Sequence, residues 1–117
     1  MGYDVNLTKA YSKNAAEVSK ACQDTAKELG GKVLKVDQVA KTLQIQMDKK
    51  LQGKILGDRS MLDMSLVETT EGETMVKVLA YPLNAVGQKL FFGARPGVIQ
   101  TVLKVFFETV ETKLGIT

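Results

Sequence analysis

FFGARPGVIQTVLKVFFETVETKLG, residues 91 to 115, decides the architecture of the chain. Three readings compete for it: a membrane anchor, an anion-binding loop that feeds a helix, or a helix that closes a core. From Pro96 onward the polar positions are Gln100, Thr101, Lys104, Glu108, Glu111, Thr112 and Lys113. They recur every three or four residues, and Ile99, Val102, Leu103, Phe106, Val110 and Leu114 form the complementary apolar stripe. That period is helical despite the many β-branched residues, so the spacing predicts an amphipathic helix over about 96–114. Pro96 suits a first helical turn and Gly115 the residue past the end. A spanning helix needs about 20 predominantly apolar residues, and Lys104, Glu108 and Glu111 interrupt this run. The polar face is also mixed in sign, unlike that of an interfacial helix. In front of the helix, Gly93, Gly97 and Arg95 make an anion candidate, because free amides and a guanidinium can meet there. GARPG nevertheless lacks the GK[ST] ending of a phosphate loop and the GxGxxG of a dinucleotide fold.

Working back toward the N-terminus, Asn14 to Leu29 reads as a second helix. Tyr11, Ala15, Val18, Cys22, Thr25 and Leu29 share one face, Asn14 and Glu17 fit a capping box, and Gly30 and Gly31 supply the left-handed stop. Cys22 falls on the apolar face as a small buried residue. Before this helix, Tyr3, Val5 and Leu7 alternate with Asp4 and Asn6 as a short strand. After it come strand-like segments at Val33 to Val36, Thr42 to Asp48 and, more weakly, Leu51 to Leu56 around Gly53. Leu62 to Leu66 then pairs through Glu71 to Glu73 with Thr74 to Tyr81. Thr42 to Asp48 is the cleanest, with Leu43, Ile45 and Met47 alternating with Gln44, Gln46 and Asp48. Pro82 is expected to end this antiparallel meander, and Gln88 to Phe92 reads as a further strand. The fold class is α+β: an antiparallel sheet of about five to six strands against an N-terminal helix (about 14–29) and a long C-terminal helix (about 96–114).

Composition bounds the function. The 117 residues make a single domain, 1–117, with 44% apolar and 25% charged residues, ordinary values for a globular chain. Histidine is absent and Cys22 is the only cysteine. Ser/His/Asp and Cys/His catalysis are therefore excluded, as are an intramolecular disulfide and a thiolate zinc cluster. No cofactor and no metal site is expected. The net charge of +3 is dispersed: residues 1 to 57 carry ten lysines against six acids, and the remainder six basic against seven acidic residues. Nucleic-acid binding asks for a concentrated basic face, which is missing. The opening MGYDVNLTKAY lacks the apolar core of a signal peptide, and Asn6 stands where a myristoylation signal carries Ser or Thr, so the expected location is cytoplasmic. The best polar cluster for catalysis is Gly57, Asp58, Arg59, Ser60 and Asp63, and a solvated turn is the simpler account of it.

In DVNLTKAYSKNAAEVSKACQDTAKELGGKVLKVD at the start and GVIQTVLKVFFETVETKLG at the end, and in the element order between them, the chain resembles compact helix-grip domains of the START, polyketide-cyclase and Bet v 1-like superfamily, of the small bacterial type. The resemblance implies a sheet curled around the C-terminal helix, with the space between them serving as ligand pocket or as core. The residues that would line it are Leu43, Ile45, Met47, Leu62, Met64, Leu66, Val76, Val78, Ile99, Leu103 and Phe106; methionines among them would adapt to apolar ligands. The function expected is noncatalytic binding of a small apolar molecule. The alternative is a protein-interaction or self-assembly module, including a homodimer, with Phe91, Phe92 and Phe107 as its contact candidates. An enzyme of unassigned reaction is the third reading.

Overall fold

The computed structural model describes residues 4–69, 72–90, 93–94 and 97–116. The elements are β1 (Val5–Tyr11), α1 (Ala15–Glu28), β2 (Lys32–Asp37), β3 (Thr42–Met47), β4 (Lys50–Leu51), β5 (Lys54–Ile55), β6 (Arg59–Glu68), β7 (Thr74–Leu83) and α2 (Val98–Leu114). Five strands form one sheet in the order β1-β7-β6-β3-β2, and every pairing in it is antiparallel. β4 and β5 form a separate two-stranded hairpin. The expected antiparallel α+β architecture with an N-terminal and a C-terminal helix is therefore what the chain adopts. No helix among the described residues is long and apolar enough to cross a membrane.

Because side chains alternate across a strand, register decides which residues share the core face. Leu43 lies opposite Met64, and Ile45 opposite Leu62. Leu62 in turn faces Ala80, Met64 faces Val78, and Leu66 faces Val76. These rungs form a continuous apolar surface. α1 leaves one sheet edge at β1 and reaches the other at β2, so it crosses this surface, and α2 lays its own stripe beside it. Val102, Phe106 and Val110 of α2 are fully buried, as are Val18, Cys22 and Ala26 of α1. Each buried Val, Leu or Phe contributes about 1.5–3 kcal/mol relative to exposure. The α2 stripe is therefore held by packing, since its β-branched residues are indifferent helix formers.

Local chemistry ends these elements where the residue types suggest. Asn14 caps α1, its Oδ1 accepting from the Glu17 amide at 2.8 Å. The return hydrogen bond, from the Asn14 amide to the Glu17 carboxylate, is not formed, so only half of the expected capping box exists. At the other end the Gly30 amide donates to Lys27 O and the Gly31 amide to Ala26 O, with Gly30 at φ +84°, a Schellman stop. Gly31 has a second role: a Cβ there would lie 2.9 Å from both Gln46 O and Met47 Sδ. The close approach of the α1–β2 junction to β3 thus requires glycine. α2 begins after Gly97 at φ +78° and ends at Gly115 at φ +72°; Pro96 lies outside the described residues.

Several expectations are corrected by pairing. β1 runs on to Tyr11, because its partner β7 continues to Thr74, so Tyr11 belongs to the strand and not to the helical face. Leu51 to Leu56 forms the short β4–β5 hairpin, whose turn residues Gln52 and Gly53 both have positive φ, as a type I′ turn requires. Pro82 does not end β7 but sits buried within it, opposite Ser60. It lies beyond the last β1 pair at Ala80, so its missing amide breaks no ladder on that side, and its carbonyl accepts from the Leu90 amide at 2.9 Å. Of Gln88 to Phe92, the described residues 88–90 contribute the isolated bridge of Lys89 to Leu83 and no strand, and Phe91 and Phe92 lie outside the described residues.

Candidate functional site

All eleven sequence-predicted lining residues are brought together. Leu43, Ile45, Met47, Leu62, Met64, Leu66, Val76, Val78, Ile99, Leu103 and Phe106 are buried in one cluster with the inner faces of both helices. Ile99, Leu103 and Phe106 pack into this cluster with no more than 6% of their surface exposed. Open space lies at the two margins of this core, as one groove beside α2 and another beside α1.

The α2 groove separates the edge strand β1 from the C-terminal helix and encloses about 460 Å³. Val5 and Leu7 point to the core face, as their pairing with Ala80 and Val78 dictates, yet both are only half-buried. Across from them stand Leu103 and Phe107 of α2. Phe107 is 2% exposed and meets Phe106 edge-on, with ring centroids 5.2 Å apart. It belongs to the core side of the helix, so it is not available as the surface contact expected of it.

The same alternation that points Val5 and Leu7 inward also points Lys9 inward, opposite Val76. A lysine on the core side of a strand needs a partner. Lys9 finds Glu111, with Nζ 3.7 Å from Oε2, and its ammonium lies 6.0 Å from the Phe107 ring centroid. Tyr11, two residues on, donates its phenol to the same Glu111 oxygen at 2.8 Å. Burial first, then this hydrogen bond and the carboxylate charge, push the Tyr11 phenol well above its ordinary value. Glu111 therefore joins the end of the edge strand to α2 and closes one end of the groove with charged and hydrogen-bonded groups; Val5, Leu7, Leu103 and Phe107 supply its apolar surface, and Gln100, Lys104 and Glu108 of α2 add polar groups to the lining.

The second groove, about 640 Å³, runs between α1 and the β2–β3 hairpin. Its floor includes Ala15, Leu43 and Leu66, and its walls carry Lys20, Asp24, Asp37, Lys41 and Glu68. Leu43 and Leu66 were expected as pocket residues, but their exposed edge faces α1 and not α2.

The polar cluster near Gly57 does not converge. Ser60 points into the core, fully buried, and its hydroxyl has no hydrogen-bond partner among the described residues. Asp63 lies on the opposite face of the sheet, accepting from Gln44 Nε2 at 3.0 Å and from the Tyr81 phenol at 3.1 Å. Burial, followed by the Asp63 charge and this hydrogen bond, raises the Tyr81 phenol. Cys22 is fully buried, and burial pushes its thiol up to about 12, so it is an inert packing residue. Arg95 lies outside the described residues. Among the described residues no three carboxylates or thiols come together as a metal-binding group.

Sequence reasoning missed Val5, Leu7, Lys9 and Glu111 as groove residues. The signal was present in the alternation Val5, Leu7, Lys9, Tyr11, which marks Lys9 as inward-facing once the strand is known to reach Tyr11.

No protein-family model and no curated relative matches the chain. Solved structures do. Ara h 8.0201, a Bet v 1-like allergen, superposes with a TM-score of 0.60 at 10% identity over 98% of this chain and 99% of its own. A protein from Nitrosospira multiformis superposes with a TM-score of 0.58 at 10% identity over 94% of each chain. At such identity the likeness is one of backbone architecture, and the chain has the α+β helix-grip fold of Bet v 1-like proteins.

Proposed function

We propose that the chain is a noncatalytic binding domain that holds a small apolar molecule between the sheet and the C-terminal helix. The observation that carries this reading is the incomplete cover of β1: Val5 and Leu7 face the core but stay half-buried beside a groove of about 460 Å³. That volume falls within the range of small-molecule sites, roughly 300–1,000 Å³. The predicted pocket residues enter the reading unequally. Leu103 contacts the ligand directly, and the other ten form the packed bed that keeps Leu103 and Phe107 in place. Lys9 and Glu111 lie at the polar end, where a ligand hydroxyl or carbonyl finds a donor or an acceptor.

The fold supports this reading in a general way, because a sheet gripping a helix leaves its margins as the natural places for a ligand. Self-association is the second reading, favoured by exposed apolar residues on and beside β2: Leu34, Val36 and Val39. That edge also carries a register shift between Val33 and Lys35, and this irregularity together with the edge lysines Lys32 and Lys35 blunts edge pairing. Ligand binding therefore ranks first.

The test is native mass spectrometry of the purified chain, followed by titration with n-decanol monitored through amide NMR shifts. The expected result is a retained or added small molecule, with shifts centred on Leu7 and Leu103. Leu7→Glu, which places a charge in the groove at a half-buried edge position, is expected to abolish those shifts. A folded protein that retains no ligand and shows no saturable shift with decanol would overturn the proposal.

A further inference from the structure

The α1 groove has a charge balance that selects among ligands, and this feature is independent of the α2 groove. Ala15, Leu43 and Leu66 are buried on its floor, while Val36 is 41% exposed at its mouth, so an apolar body has a surface to lie on. Around that floor stand three carboxylates and two ammonium groups. Lys20 is taken by Asp24 at 2.7 Å, and Lys41 by Glu68 at 3.4 Å. Asp37 is left, and it has no ion-pair partner among the described residues.

Asp37 is also held in place. Its Oδ1 accepts from the Val39 amide at 3.1 Å and the Ala40 amide at 2.9 Å, which closes the β2–β3 turn, while Oδ2 makes no hydrogen bond among the described residues. The turn is anchored in turn by the Lys41 carbonyl, which accepts from the Leu66 amide at 2.9 Å. The carboxylate is thus oriented before any ligand arrives, which lowers the cost of ordering on binding. An anion meets the opposite situation. At the α1 N-terminus the Ala15 amide already donates to Glu68 Oε2 at 3.3 Å and the Glu17 amide to Asn14, and both groove lysines are paired.

We infer that the groove between α1 and the β2–β3 hairpin binds a small organic monocation, an amine on an apolar body, with the ammonium at Asp37 and the body on Leu43, Leu66 and Val36. Its volume of about 640 Å³ admits a molecule of that kind. Charge complementarity gives the specificity: the apolar floor accepts any short hydrocarbon chain, and Asp37 discriminates between head groups.

The experiment titrates the full chain with octylammonium, octanol and octanoate, three probes that share one tail, and reads amide shifts by NMR. Octylammonium is expected to shift Val39, Ala40, Thr42 and Leu43 with a Kd about tenfold below that of octanol, the difference typical of a hydrogen bond to a charged group. Octanoate is expected to leave these amides unmoved. The octylammonium Kd should rise with salt, because Asp37 is not fully buried. Asp37→Asn keeps the Oδ1 acceptor and hence the turn but removes the charge, and should bring the octylammonium Kd up to that of octanol. Ala16→Leu, at an exposed α1 position on the groove wall, should block octylammonium and octanol alike without touching the turn; it serves if Asp37→Asn loses the native spectrum. Equal affinities for octylammonium and octanol at these amides would overturn the inference. So would shifts confined to Leu7 and Leu103, which report the α2 groove instead, or a folded Asp37→Asn variant with an unchanged Kd.

Discussion

Replacing Thr25 by valine is expected to stabilise the protein, and the structure gives the size of the effect. Thr25 is fully buried on the inner face of α1, and its Oγ1 has no hydrogen-bond partner among the described residues. A buried hydroxyl without a partner costs about 1–3 kcal/mol in lost hydration. Valine has nearly the same shape and the same β-branching, so helix propensity and χ1 restriction change little. The substitution therefore removes the penalty without opening a cavity, and about 1–2 kcal/mol of stabilisation is expected. With an unfolding entropy of about 2.1 cal/mol/K per residue, each kcal/mol moves the Tm of a domain of this length by about 4 °C, so Thr25→Val should raise it by about 4–8 °C. Differential scanning calorimetry at neutral pH measures this directly. Ser60→Ala provides the companion measurement. Its hydroxyl is likewise buried and unpartnered, and Ser60 lies opposite Met47, at the end of the core where α1 hands over to β2. Two independent orphans should give additive gains. A Tm for Thr25→Val equal to or below that of the parent would refute the reasoning, because it would mean that the hydroxyl is already satisfied.

Gly31→Ala is expected to destabilise the chain by about 1–3 kcal/mol, the usual cost of overpacking, because the new Cβ would meet a β3 backbone carbonyl at 2.9 Å that cannot swing away; urea unfolding measures the loss, and a midpoint unchanged from the parent would contradict it. The Cys22 thiol leads to a prediction at alkaline pH. Its folded value of about 12 lies above the ordinary 9.0, so the folded chain holds a proton that the unfolded chain releases. The stability this contributes is complete below pH 9 and is lost as pH rises from 9 toward 12, at up to about 1.4 kcal/mol per pH unit. Tyr11, also raised by burial, adds a loss of the same sign above its ordinary 10.0. The stability of Cys22→Ala should accordingly fall less steeply than that of the parent between pH 9 and 10.5, and parallel curves would show that the thiol does not titrate on unfolding.

How much of the fold was legible depended on where its determinants lie along the chain. α2 and α1 are written in local periods of three and four, with Asn14 and Gly30 at the ends of α1, and β3 in the strict alternation of Leu43, Ile45 and Met47. Side-chain periodicity and capping are short-range matters, so these elements are readable from neighbouring residues alone. The extent of β1 was not readable, because it is set by pairing with β7, about 70 residues away in sequence. Lys9 looks like an ordinary surface lysine until that register turns it toward Glu111, 102 positions later. Pro82 likewise reads as a strand terminator, and only the end of β1 at Ala80 shows why it is tolerated within β7.

The candidate sites divide along the same line. The amino-acid sequence alone determined which residues are apolar enough to meet between sheet and helix, and all eleven do meet. Whether they enclose a cavity or fill one was decided only by tertiary packing, because that depends on how closely α2 settles onto the sheet. Leu62 and Phe106 at 0% exposure mark the filled centre, and half-buried Val5 and Leu7 mark the margin where the helix ends its cover. The groove at Asp37 belongs wholly to the tertiary structure: Lys20 and Lys41 are drawn away by Asp24 and Glu68, and only that pairing leaves one carboxylate above an apolar floor.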